Sequence, residues 1–297
     1  VRAGPPARVL MAGLLLAGLT SGGRDAPDVT FALAGDLNLA RGAEQVHRPA
    51  WTGALTEVQG ALSGDVVLAN LESPLTGQPR ATGGIDLRVS PGAVRALTPF
   101  THLSVENNHA LDGGPAGQAE TLRVLHGQRV TPVTRAPTYR SVRGVRVALV
   151  AYLDDGSPPP LAAVSAARRE ARVVVVMPHW GAEYAGTTAR QREQARQLVQ
   201  AGATLVVGSG PHVLQGSERL GPALVLYSLG NLLFDQPYPA AWLGAVVRVE
   251  LRGGQVNACA VPTVTRAGRV RRARGPEIGR ALTRLGLPAC LAGSAGP

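Results

Sequence analysis

Eight short apolar runs, most of them valine-rich, recur along the chain at 29–34, 66–71, 103–105, 145–152, 173–177, 205–207, 224–229 and 243–249. Longer amphipathic segments separate them, at 92–97, 117–126, 161–172, 187–201 and 277–285. The segment 187–201 is the clearest, with Ala189, Ala195, Leu198 and Val199 on one side and Arg190, Arg192, Glu193 and Arg196 free for solvent. Strands alternating with helices predict an α/β fold. Because the runs are apolar at consecutive positions, their sheets should be covered on both faces. Two hairpins are expected, 139–149 turning at Arg143-Gly144 and 246–261 turning at Gly253-Gly254.

Composition narrows the class. At 297 residues and 45% hydrophobic, the chain can bury a large core. Its 37 glycines, 23 prolines and 4% aromatic content disfavour coiled coils and bundles. No apolar run reaches the roughly 20 residues of a membrane span, which excludes a polytopic membrane protein, and two cysteines exclude a Cys-rich zinc module. The net charge of +10 would suit nucleic acid. However, all 30 basic residues are arginines scattered along the whole chain, so no nucleic-acid partner is expected. The one cluster, Arg266, Arg269, Arg271, Arg272 and Arg274, suits either an anionic polymer or lipid surface or a plain solvated basic loop.

Arg2 and Arg8, then an apolar stretch at 9–19, then Thr20-Ser21-Gly22-Gly23, have the form of a signal peptide over 1–23, with an uncleaved anchor as the alternative. The expected organisation is therefore an exported chain, extracellular or associated with the cell envelope. A single domain over 24–285 and a flexible tail over 286–297 would follow the signal segment. Cys259 and Cys290 either pair, contributing roughly 3–4 kcal/mol in the chain-entropy picture, or remain as two buried thiols.

Five apolar runs end in residues that bind metals or move protons: Asp36, Glu72, Asn107-Asn108-His109, His179 and His212. Ligands of α/β sheets gather beyond the carboxyl ends of the strands, so these five should meet on one surface. Two carboxylates, three imidazoles and an amide suit Mn, Zn or Fe, as one ion or two. Such a centre can acidify water and clamp a phosphoryl or carbonyl oxygen.

Six ordered motifs, Phe31 to Arg41, Asn70-Leu-Glu72-Ser-Pro-Leu75, Asn107-Asn-His109-Ala-Leu-Asp112, His179-Trp-Gly-Ala-Glu183-Tyr184, Gly208-Ser-Gly-Pro-His212 and Tyr227-Ser-Leu-Gly-Asn231, resemble those of the CapA-type poly-γ-glutamate capsule biosynthesis family. The resemblance implies a four-layer α/β/β/α sandwich related to calcineurin-like metallophosphoesterases. It implies Asp36, Glu72, Asn108, His179 and His212 as metal ligands, and His109 as proton donor with Asp112 fixing its tautomer. Arg41, Trp180, Glu183, Tyr184 and Asn231 would line the substrate site. The chain departs from the family pattern where Gly210 replaces the first His of His-Pro-His, and where Asp36-Leu37-Asn38 lacks the His of D-x-H. Two functions follow from the resemblance. One is a metal-dependent hydrolase, phosphoesterase-like, acting on a phosphorylated or γ-glutamyl substrate. The other is a non-catalytic component that holds an anionic envelope polymer against membrane synthase subunits.

Overall fold

The structure is a computed structural model and describes residues 28–291 together with residues 1 and 4. The expected signal segment therefore lies outside the described residues. Two sheets lie face to face. The first runs, in sequence, through β1 (Val29–Leu37), β2 (Val66–Leu71), β3 (His102–Ser104) and β4 (Thr131–Val133). These four are parallel neighbours in that order. The second sheet holds β5 (Thr138–Val142), β6 (Val145–Leu153), β7 (Val173–His179), β8 (Leu205–Val207), β9 (Ser217–Leu220) and β10 (Ala223–Leu226), ordered β5-β6-β7-β8-β10-β9. The chain then returns to the first sheet. Here β11 (Asn231–Leu233) lies parallel to the end of β1, while β12 (Leu243–Arg252), β13 (Gln255–Arg266) and β14 (Arg269–Arg272) extend its other side antiparallel.

The consecutive apolar residues sort onto opposite faces with the period of two that a strand imposes. Phe31 and Leu33 join Leu149, Val175 and Val207 in a core between the sheets. Ala32 and Ala34 face outward with Trp51, Phe100 and Leu125, and Val174 and Val176 face outward on the other sheet with Val164 and Leu198. Three apolar layers around two sheets give the α/β/β/α sandwich. Helix α1 (Gly42–His47) and α2 (Gly114–Gly127) contribute to the first outer layer, and α3 (Leu161–Glu170) and α4 (Ala189–Gln200) to the second. Both expected hairpins form, with Val142 opposite Val145 and Arg252 opposite Gln255. The segment 92–97 is a 3-10 turn within Pro91–Leu97 rather than an α-helix.

Two expectations are corrected at the C-terminus. The basic cluster is not a loop but the β13–β14 hairpin: Arg266 lies 4.4 Å over the Trp242 ring, and Arg271 pairs with Glu277 at 2.7 Å. Residues 286–290 are not free. Helix α5 (Pro276–Leu285) packs Ala281 and Leu285 into the inter-sheet core, and beyond it the Pro288 carbonyl accepts from the Ala260 amide. Cys290 is then bonded to Cys259. That crosslink spans 31 residues, so reduction should lower the unfolding free energy by roughly 3–4 kcal/mol. Denaturant melts with and without reductant measure the difference, and coincident curves would refute it.

Candidate metal centre

The site lies between the two sheets at the carboxyl ends of β1, β2, β7 and β8. Asp36 is placed by an irregularity in β1, where the register against β2 shifts between Leu33 and Asp36 and turns the carboxylate inward. Gly35 permits the close approach of β11, since a β-carbon there would overlap the Gly230 carbonyl. On the far side, the loop after β8 turns at Gly210 (φ 106°) and His212 (φ 57°). The first value is readily adopted only by glycine, and it aims the Gly210 amide at Asp36 Oδ2, 3.1 Å away. A non-glycine residue held left-handed at His212 is the kind of local strain that sites retain.

Asp36, Glu72 and His212 converge, each at most 3% exposed, with ligand atoms from all three within 4.8 Å of one another. His212 Nδ1 lies 3.2 Å from Asp36 Oδ2 and 3.0 Å from Asn231 Oδ1, and its Nε2 is 3.6 Å from Glu72 Oε1, too far for a full hydrogen bond. Burial alone would drive the imidazole down, but Glu72 and Asp36 push it up to about 10. Burial also pushes the Glu72 carboxyl up to about 8, aided by repulsion from Asp36 and Glu183 and only partly relieved by His212. Asp36 feels the same desolvation, yet its bonds and charge contacts to His212, with His179 and Asn70, hold it below the ordinary carboxylate range. Glu72 Oε2 is buried with no hydrogen-bond partner. A lone buried carboxylate oxygen is costly, and a cation is the partner that satisfies it.

Around this triad runs a chain of buried amides that residue-by-residue reading missed. Asn107 Nδ2 donates to Asn70 Oδ1 (3.0 Å), which fixes the Asn70 amide so that its Nδ2 faces Asp36 Oδ1 (2.9 Å) and His179 Nδ1 (3.2 Å). His179 Nδ1 also lies 3.2 Å from Ser209 Oγ. With Nδ1 accepting from the amide, the neutral ring carries its proton on Nε2. Burial holds that ring neutral, down to about 4. Asn70 and Asn107 both stood inside quoted motifs, next to residues with assigned roles. Asp235, which pairs with Arg41 and accepts from the Gly42 amide, had no signal in the sequence beyond its charge.

The remaining candidates divide. His109 Nδ1 and Asp112 Oδ2 are 2.9 Å apart, and Asp112 is fixed by Thr82 Oγ1 and the Leu87 amide. Asn108 is exposed, whereas Asn107 beside it is buried. Tyr184 sets its ring 6.0 Å from that of His212 and 4.8 Å from that of Tyr238. Glu183 is exposed at the rim. Three of the positions expected to line the substrate site have protein partners of their own. Trp180 is 2% exposed in the outer core, and its Nε1 donates to the Tyr227 carbonyl. Its indole is too large and apolar to leave that layer. Asn231 is fully buried and holds His212 Nδ1. Arg41 is committed to Asp235, with its guanidinium 5.7 Å over Phe234.

Residues 30–236 match the family described as bacterial capsule synthesis protein PGA_cap. The chain belongs to that family. It is 31% identical over 252 residues to the PGA biosynthesis protein CapA of Bacillus subtilis, covering 73% of this chain and 66% of that protein. It is 29% identical over 269 residues to the capsule biosynthesis protein CapA of Bacillus anthracis, covering 77% and 65%. The chain thus spans just under two thirds of these relatives' length. A solved phosphatase structure from Mycoplasma pneumoniae superposes with a TM-score of 0.55 at 10% identity, covering 86% of this chain and 99% of that one. At that identity the likeness shows the fold alone, the sandwich of two sheets between helical layers.

Proposed function

We propose that the protein is an exported, envelope-associated hydrolase of capsule metabolism that uses one divalent ion, Mn, Zn or Fe, held by Asp36, Glu72 and His212. The reading is carried by the unpartnered Glu72 oxygen, buried against two further ligand types. Such an ion supplies acidified water and a Lewis acid for a phosphoryl or carbonyl oxygen. The chain supplies the rest. Asn231 orients His212, Asn70 orients Asp36, and Asp112 steadies His109 so that a protonated imidazole can pass its Nε2 proton to the leaving oxygen. His179, with Nε2–H in its neutral form, is suited to donate a hydrogen bond to a substrate oxygen rather than to ligate. The substrate we favour is an anionic envelope polymer, a γ-glutamyl chain or a phosphorylated one, delivered by membrane synthase subunits.

Elemental analysis of untagged protein tests the centre: we expect a single ion per chain, lost in His212→Ala. Two ions would bring His179 in as a ligand, and none would leave a polymer-holding role as the better reading. Metal uptake should also depend on pH. Near neutrality both Glu72, up to about 8, and His212, up to about 10, carry protons that must leave before they ligate. Affinity should therefore rise with pH, by about tenfold per unit for each proton displaced. Calorimetry in buffers of different ionisation enthalpy should register proton release, and a pH-independent affinity would contradict it.

A further inference from the structure

A groove lies on the side of Tyr184, whose ring is 6.0 Å from that of His212. Its volume is about 370 Å³, and Tyr184, Thr187, Gln215, Ala240 and Arg284 are among its lining residues. Volumes of this order suit a bound ligand group. Tyr184 forms the wall shared with the centre. Its ring faces His212, and its backbone is pinned by an amide bond to the Pro211 carbonyl at 2.8 Å. Gln215 is held in place, since its Nε2 donates to the Ala185 carbonyl (3.0 Å) and its Oε1 accepts from Gln191 (2.9 Å). Its neutral amide carries no charge to offer an anionic ligand.

Arg284 differs. It stands in the last turn of α5, whose end is fastened by Ser217 Oγ donating to the Leu285 carbonyl at 2.7 Å. Its guanidinium makes no hydrogen bond or ion pair with any described residue, whereas Arg271 beside the same helix is paired with Glu277. Arg280, one turn earlier, likewise has no ion pair among the described residues. The position of Arg284 in the last turn complements the helix dipole, and its guanidinium still has no partner among the described residues.

We propose that this groove is a subsite for an extended substrate, in which Arg284 receives a carboxylate of the segment running on from the group held at the centre. The inference rests on the anionic-polymer reading above. Arg284 is the only cation among the described lining residues, which balances one carboxylate but leaves a phosphate dianion half compensated. A planar guanidinium also takes a carboxylate through two parallel bonds.

Titration of the full chain with a fluorescently labelled γ-linked glutamate oligomer tests it. Arg284→Ala should bind the oligomer about tenfold more weakly, the scale of a lost charge-assisted bond. Its metal content and melting temperature should be unchanged, and Arg284→Lys should recover part of the affinity. Equal affinity in Arg284→Ala and wild type would overturn the subsite while leaving the centre's assignment standing. A wild type that binds no oligomer would sink the polymer reading itself, and the subsite with it. Tighter binding of a polyphosphate chain than of the oligomer would overturn the carboxylate assignment.

Discussion

Asp36→Ala should cost the metal-free protein about 3–5 kcal/mol of unfolding free energy and abolish metal uptake, the largest stability effect expected of any single change in the site. The carboxylate is fully buried and receives the Gly210 amide and the Asn70 amide while facing His212. Truncation takes the acceptor from the Gly210 amide and from one N–H of Asn70, and removes the hydrogen bond and charge that help Glu72 keep His212 protonated in a dry site. The surviving contact to Glu72, at 3.6 Å, is too long to replace it. Denaturant unfolding under chelation isolates the structural part of the effect. A loss below about 1 kcal/mol would mean that the cluster is not coupled as its distances indicate.

His109→Ala should lower turnover by about 10²–10⁴-fold, the range for a lost general acid, with metal content unchanged. His109 lies outside the triad but shares its surface, and its ring is held by a buried carboxylate that Thr82 and the Leu87 amide already orient. Asp112→Asn should cost less, about 10–100-fold, because the imidazole remains but the acceptor that orients it is weakened. Rates and pH profiles of both variants, measured beside their metal content, decide the matter. A variant that loses metal along with rate would place His109 among the ligands, and full activity in His109→Ala would remove it from the chemistry.

The site was legible wherever a chemical side chain followed directly on an apolar run. Asp36, Glu72, His179 and His212 were singled out in that way, and the structure brings Asp36, Glu72 and His212 within 4.8 Å of one another while His179 sits beside them against Asn70 and Ser209. The same logic gave no means of ranking them. Asn108 and Asn107 are adjacent and chemically identical, and only the turn after β3 decides that Asn107 is buried against Asn70. Trp180 and Tyr184 differ likewise: both are aromatic and near His179, but one fills the layer beneath the sheet and the other stands at the rim.

What the residues alone determined was that the strands are covered on both faces, since their apolar positions are consecutive; that a second sheet covers one face and helices the other followed from the family resemblance and is seen in the packing. The residues also determined which strand ends carry chemistry. The tertiary structure decided the pairings between segments far apart in the chain: Asp36 with His212, Cys259 with Cys290, Arg41 with Asp235, and Arg284 with the groove beside Tyr184. Local propensity and periodicity act over a few residues, whereas these contacts depend on how two sheets and their loops come to rest against each other. In that packing the burial of Glu72 beside a second carboxylate and an imidazole turns three ordinary side chains into a candidate ion site.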